Sequence, residues 1–136
     1  MKPIYEIDGS RFSTLEDFFD EFHRVLALDY SYGRIPNLDA FDDILQGGFG
    51  TPEGGFTIKW KNSRLSRERL GYPETARQLE IRLQRCHPSN RTYVAADLAA
   101  AKNSTGSTVF DWLVEIIRDH GSGGQQAEDG VELVLD

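Results

Sequence analysis

Tyr30-Ser31-Tyr32-Gly33-Arg34-Ile35-Pro36-Asn37-Leu38-Asp39-Ala40-Phe41-Asp42-Asp43-Ile44-Leu45 is the stretch on which the reading of this chain turns. Asn37 carries a side-chain oxygen that can accept from the free backbone N–H groups of a first helical turn, which makes it an N-cap. Leu38, Phe41 and Leu45 then recur at the spacing of one helix face. Gly47-Gly48 ends the helix, because glycine takes up a left-handed cap without a Cβ clash. Asp39 and Asp43 stand four residues apart and leave the helix on the same side, with Asp42 beside them. Their repulsion costs about 0.2–0.5 kcal/mol, and Asp39 recovers part of this from the helix dipole because it lies in the first turn. On spacing alone, the ordinary account of such a stripe is a solvated helix face.

Working outward, Ile4-Tyr5-Glu6-Ile7 alternates and stops at the turn pair Asp8-Gly9, which predicts a short first strand. Ser13 with Glu16 three residues later has the form of a capping box, and Leu15, Phe18, Phe19, Phe22 and Val25 supply the apolar stripe of a first helix. Beyond the acidic helix, residues 47–55 read as a glycine-rich loop and Phe56-Thr57-Ile58-Lys59-Trp60 as a second strand. Two shorter helical stretches follow, Ser63 to Leu70 and Glu74 to Leu83, parted at Gly71-Tyr72-Pro73. Residues 86–106 are ambiguous; Arg91 to Ala101 has the makings of a strand running into a short helix, and neither element is assigned. Ser107-Thr108 caps a final helix with Val109, Trp112, Leu113, Ile116 and Ile117 on its buried side. Residues 121–130 read as a flexible loop, and Val131 to Leu135 as a closing strand. Strands separated by helices imply crossovers. The expectation is an α/β domain with a small three-stranded parallel sheet packed with about four helices and right-handed connections.

The chain has 136 residues, 39% of them hydrophobic and 27% charged, which fits a single domain. No stretch approaches the roughly 18 apolar residues of a membrane helix, and the N-terminus lacks a basic-then-apolar signal segment, so a cytoplasmic location is expected. Cys86 is the single cysteine, which leaves no intrachain disulfide. The net charge of -7 speaks against direct nucleic-acid binding, since phosphate affinity comes from an excess of cations. Acids dominate from Met1 to Ile58 and again from Asp111 to Asp136, whereas the stretch from Lys59 to Arg91 is basic. If the fold joins the two acidic ends, the molecule presents a negative face that attracts a cationic partner. The basic stretch, interrupted by Glu68, Glu74 and Glu80, is read as the solvated back, with RNA or an acidic protein as its other candidate partner.

The run Tyr30-Ser31-Tyr32-Gly33, then Asn37-Leu38-Asp39-Ala40-Phe41-Asp42-Asp43, resembles the signature of the barstar family of intracellular ribonuclease inhibitors: a tyrosine-glycine turn leading into an Asn-Leu-Asp-Ala helix with a second acid four residues on. The element order is similar too, with a strand-and-turn start, a second strand ending at Trp60, a helix carrying Glu115 and a C-terminal strand. The resemblance implies one barstar-like domain over 1–136, with longer loops at about 47–55, 86–106 and 121–130. It implies an inhibitor or immunity protein, not an enzyme, whose acidic helix and preceding loop plug the basic active site of a ribonuclease or related toxin in a one-to-one complex. Asp43 then matches the acid that enters the phosphate site, Asp39 its companion one turn earlier and Glu115 the acid of the final helix. Tyr30 or Tyr32 supplies an aromatic contact, and Gly33, Asn37, Asp42 and Gly47 complete the expected partner-binding set. No catalytic residue, metal, cofactor, nucleic acid or membrane is expected. The chain departs from the family pattern at Ser31, at the inserted Ile35-Pro36 and at Asp42, which replaces an aromatic. These departures keep open a non-inhibitory interaction module, or an antitoxin against a toxin that is not a nuclease.

Other constellations have plainer accounts. His23 lies among acids of the first helix, and His120 lies near the end of the last one, where a cation suits the dipole; both read as capping or surface residues. Cys86-His87 lacks the second pair of a zinc site, and the glycines of 47–55 are not followed by the Gly-Lys-Ser/Thr of a phosphate loop. Asp39 with Glu115 has the makings of a glycosidase carboxylate pair, but so small a domain leaves little room for a substrate cleft. Trp60 and Trp112 read as core residues.

Overall fold

The three alternating segments form parallel strands in the computed structural model, which describes residues 2–28 and 33–136. Along the chain run β1 (Ile4–Asp8), α1 (Leu15–Leu26), α2 (Leu38–Gln46), β2 (Phe56–Lys61), α3 (Ser63–Arg69), α4 (Tyr72–Arg85), α5 (Arg91–Lys102), α6 (Val109–Asp119) and β3 (Val131–Leu135). The sheet order is β1-β2-β3, with Ile7 opposite Trp60 and Phe56 opposite Val131. This is an α/β fold with a three-stranded parallel sheet, as expected, and six helices in place of about four.

Strand alternation decides which face is covered. Phe56, Ile58 and Trp60 of β2 and Ile7 of β1 point into the core, where Phe18 stacks on Trp60 with ring centroids 5.2 Å apart and Phe22 meets Phe41 edge-on at 4.9 Å. Phe41, Ile44 and Leu45 of α2 are buried in this cluster, which turns Asp39 and Asp43 outward. The opposite sheet face is charged: Lys59 bridges Glu6 and Asp136 at 3.8 Å each.

A second, smaller core stands beside the aromatic one. Leu79 of α4 packs with Val94, Leu98 and Ala101 of α5, and Trp112 of α6 touches both clusters. Residues 91–102, left open between strand and helix, are therefore a helix whose buried stripe faces α4. Trp112 is only partly buried and joins the two cores, whereas Trp60 is fully buried with its indole N–H donating to Ser66 Oγ at 2.9 Å.

The α4–α5 hairpin is fastened through helix ends. The buried Glu74 carboxylate accepts from the Leu15 N–H at 2.9 Å, and Thr75 Oγ1 accepts from the Val109 N–H at 2.8 Å, so α4 satisfies free donors at the start of both α1 and α6. This arrangement also displaces the predicted capping box. Thr14, not Ser13, is the N-cap of α1, and Glu16 instead bonds Arg77 and Gln78 of α4. The capping box that does form is at α6, between Thr108 and Asp111. Residues 121–130 differ from the flexible loop expected, because their backbone is bonded to the end of α6: the Gln126 N–H donates to Asp119 O at 2.8 Å and the Gln125 N–H to Asp119 Oδ1 at 3.0 Å. Gly121 permits the close return, since a Cβ there would lie 2.2 Å from Val131 O.

Candidate functional site: an acidic face on α2 and α6

Helix α2 begins where the sequence places it. Asn37 Oδ1 accepts from the Ala40 N–H at 2.8 Å, and Gly47, at φ 115°, ends the helix in a backbone region that favours glycine. The segment before it is anchored by the buried Ile35 and by Arg34, whose guanidinium holds the Asp20 carboxylate of α1 through two bonds of 3.0 and 2.6 Å. Gly33 is exposed with φ 87°. Tyr30 and Tyr32, the expected aromatic contacts, lie outside the described residues.

The fold brings three of the predicted residues, Asp39, Asp42 and Glu115, into one cleft. A cleft of about 410 Å³ between α2 and α6 is lined by Asp39, Asp42, Glu115 and Asp119, with Leu38 and Ile116 as its apolar part. Asp43 follows Asp39 by one turn on exposed α2 surface. The side chains of Asp39, Asp43 and Glu115 make no hydrogen bond or ion pair with the described residues. Asp119 is partly engaged, because the Gln125 N–H and the Gln126 side chain donate to its carboxylate and hold it below the usual carboxylate range. Gly47 stands apart, on a neighbouring pocket of about 280 Å³ shared with Glu53, Glu128 and Asp129.

Asp42 is placed differently from its neighbours. Its Oδ1 lies 2.5 Å from His120 Nε2, while His120 Nδ1 lies 2.6 Å from Asp129 Oδ2. His120 follows α6 as its C-cap, but it is 0% exposed, so the surface role expected for it does not hold. Burial, the largest influence, lowers the imidazole pKa; the hydrogen bonds and charges of Asp129 and Asp42 together outweigh it and leave the pKa raised. With an acceptor at each nitrogen, the doubly protonated ring is the form that satisfies both bonds. The acidic helix is thereby tied to the end of α6 and to the turn before β3. Gln46 reinforces the tie, its Nε2 donating to Gln126 Oε1 at 2.8 Å.

Sequence reading missed Asp119 as a member of this surface, the buried His120 with Asp129 behind it, and also two arginines. Arg82 and Arg85 of α4 line a groove with Asn37 and Leu38 at the start of α2, so this part of the basic stretch borders the acidic face instead of forming the back of the molecule. His87, by contrast, has an exposed side chain that accepts from the Ser89 N–H, and Cys86 packs against the smaller core. Among the described residues no helix is long and apolar enough to cross a membrane.

Compared with known proteins, the chain matches no curated sequence. The family model Barstar, described as barnase inhibitor, matches residues 2–87, a span that includes β1, the whole of α2 and the strand ending in the Trp60 region. That match covers more than half of the chain and is consistent with its three-stranded parallel α/β fold: the chain belongs to the barstar family.

Proposed function

We propose that this chain acts by binding, as an inhibitor or immunity protein that occludes the basic active site of a ribonuclease with α2 and the loop before it. The observation that carries the reading is the set of three carboxylates, Asp39, Asp43 and Glu115, that share one face and have no cation of their own among the described residues. Carboxylates left in this state are ready to pair with an external cluster of Arg, Lys and His, and a nuclease must hold such a cluster to bind RNA phosphates. Presentation on a fixed helix means that little ordering has to accompany binding.

In this reading Asp43 enters the phosphate site, Asp39 contacts its edge, and Glu115 closes the footprint from α6. Tyr30 and Tyr32 supply aromatic contact, Gly33 and Gly47 flank the helix, Asn37 fixes its first turn, and Asp42 braces it through His120. The whole chain works as one unit, one-to-one with its target, in the cytoplasm and without metal or cofactor.

The test is a titration of the purified chain against small basic microbial ribonucleases, followed by calorimetry and by RNA hydrolysis. A stoichiometric complex that abolishes hydrolysis is expected. Asp43→Ala should weaken it more than about tenfold, the scale of one lost charge-assisted bond, and Glu80→Ala on α4 less than about twofold. Equal effects would put the interface on another face. A complex only with a toxin that is not a nuclease, or none at all, would remove the inhibitor reading.

A further inference from the structure

The groove beside the acidic helix has a composition of its own. Arg82 and Arg85, three residues apart on α4, line about 400 Å³ of space together with Phe19, Pro36, Leu38 and Ile81. Leu38 also lines the acidic cleft, so the two depressions meet at the first residue of α2. The Arg82 guanidinium lies 5.4 Å from the centroid of the Trp112 ring, and Arg85 makes no hydrogen bond or ion pair with the described residues. The one acid on the groove, Glu16, is already held by Arg77 and Gln78. The groove therefore sets Arg85, and Arg82 at its edge beside Trp112, next to the apolar side chains of Pro36, Leu38 and Ile81, on a helix pinned by Glu74 and Thr75.

We propose that this groove is the second half of the partner-binding surface, and that it receives an acidic side chain of the same partner, carried next to an apolar one, onto Arg82 and Arg85. This rests on the reading above that the partner sits on α2. A partner covering Asp39 and Asp43 with a footprint of ordinary size, roughly 800 Å² a side, reaches the groove without a gap. Guanidinium forks match carboxylates in geometry, and the apolar surroundings shed water from the pair. RNA is the poorer fit, because the neighbouring carboxylates repel phosphate. A surface with both signs also discriminates: a basic protein lacking the acid leaves two arginines unpaired under it.

The sign of a charge reversal tests this. Arg82→Glu with Arg85→Glu, and as control Arg64→Glu with Arg91→Glu, lower the net charge equally. For a basic ribonuclease that binds the wild-type chain, the overall field predicts tighter binding for both pairs. The groove predicts the opposite for the first pair: about tenfold weaker binding or more, with the control unchanged or tighter. Arg85→Glu alone, which leaves the Arg82–Trp112 contact in place, should weaken binding about threefold, and thermal melting checks that every variant is folded. A first pair that binds as tightly as wild type overturns the groove and leaves the acidic face standing. An RNA oligonucleotide that binds the free chain and is lost with the same pair overturns it too. If no ribonuclease binds the wild-type chain, the parent reading fails before any arginine is changed, and the groove falls with it.

Discussion

His120 is the residue on which the acidic face depends without displaying it. Its ring is fully buried between Asp42 and Asp129, so removing it leaves two carboxylates without the partner they share. Breaking a buried charged contact from one side costs about 3–5 kcal/mol, and the part-exposed Asp42 side chain puts His120→Ala at the low end, about 3 kcal/mol. The pH dependence follows from the raised pKa. The folded state holds the proton more tightly than the unfolded chain, so the stabilisation is complete below the ordinary imidazole value near 6.5 and is lost as pH rises through the folded value. Melting followed from pH 6 upward should therefore show a decline in wild type that is absent in His120→Gln, whose amide does not titrate. Parallel curves would mean that the folded state holds the imidazole proton no more tightly than the unfolded chain. None of this was legible in the sequence. The two carboxylates lie 78 and 9 residues from the histidine, and neither distance is a period of helix or strand.

Among the elements, α2 was readable because its determinants are local: an N-cap, an apolar face and a glycine stop within a dozen residues. Asn37→Ala removes the bond to the Ala40 N–H and should cost about 1 kcal/mol, with faster hydrogen exchange at Ala40. Because Asp39 sits in that first turn and Asp43 one turn on, partner affinity should fall a few-fold, well short of the loss from Asp43→Ala. An affinity loss equal to that of Asp43→Ala would show that Asn37 contacts the partner directly. The start of α1 was misassigned because a residue on a distant element, Glu74, takes the donor of Leu15, which leaves Thr14 to cap Asp17. The helix α5 is ambiguous in the sequence for a different reason. Its start has no side-chain cap, and only Val94, Leu98 and Ala101 of its twelve residues are buried, too narrow a stripe to stand out from the alanines around it.

For the molecule as a whole, the two cores make stability uneven. The large aromatic cluster holds the sheet, α1, α2 and α6, while the smaller one holds α5 to α4, and Trp112 belongs to the margin of each. The hairpin is thus attached by few apolar contacts and by polar helix-end bonds, the composition expected of a unit that opens locally. Leu98, 8% exposed at the centre of the smaller core, is the residue that separates local from global opening. Leu98→Ala should cost that core about 2–4 kcal/mol through lost burial and the cavity left behind. If the hairpin opens on its own, amides of α4 and α5 will exchange faster while those of β2 keep wild-type protection, and the binding proposed for Asp39 and Asp43 will be retained. The flank formed by Arg82 and Arg85 stands on α4 and should weaken in the same variant. A uniform loss of protection across β2 and α5 would mean that Trp112 couples both cores into one cooperative unit. The acidic face and its cationic flank would then rise and fall together.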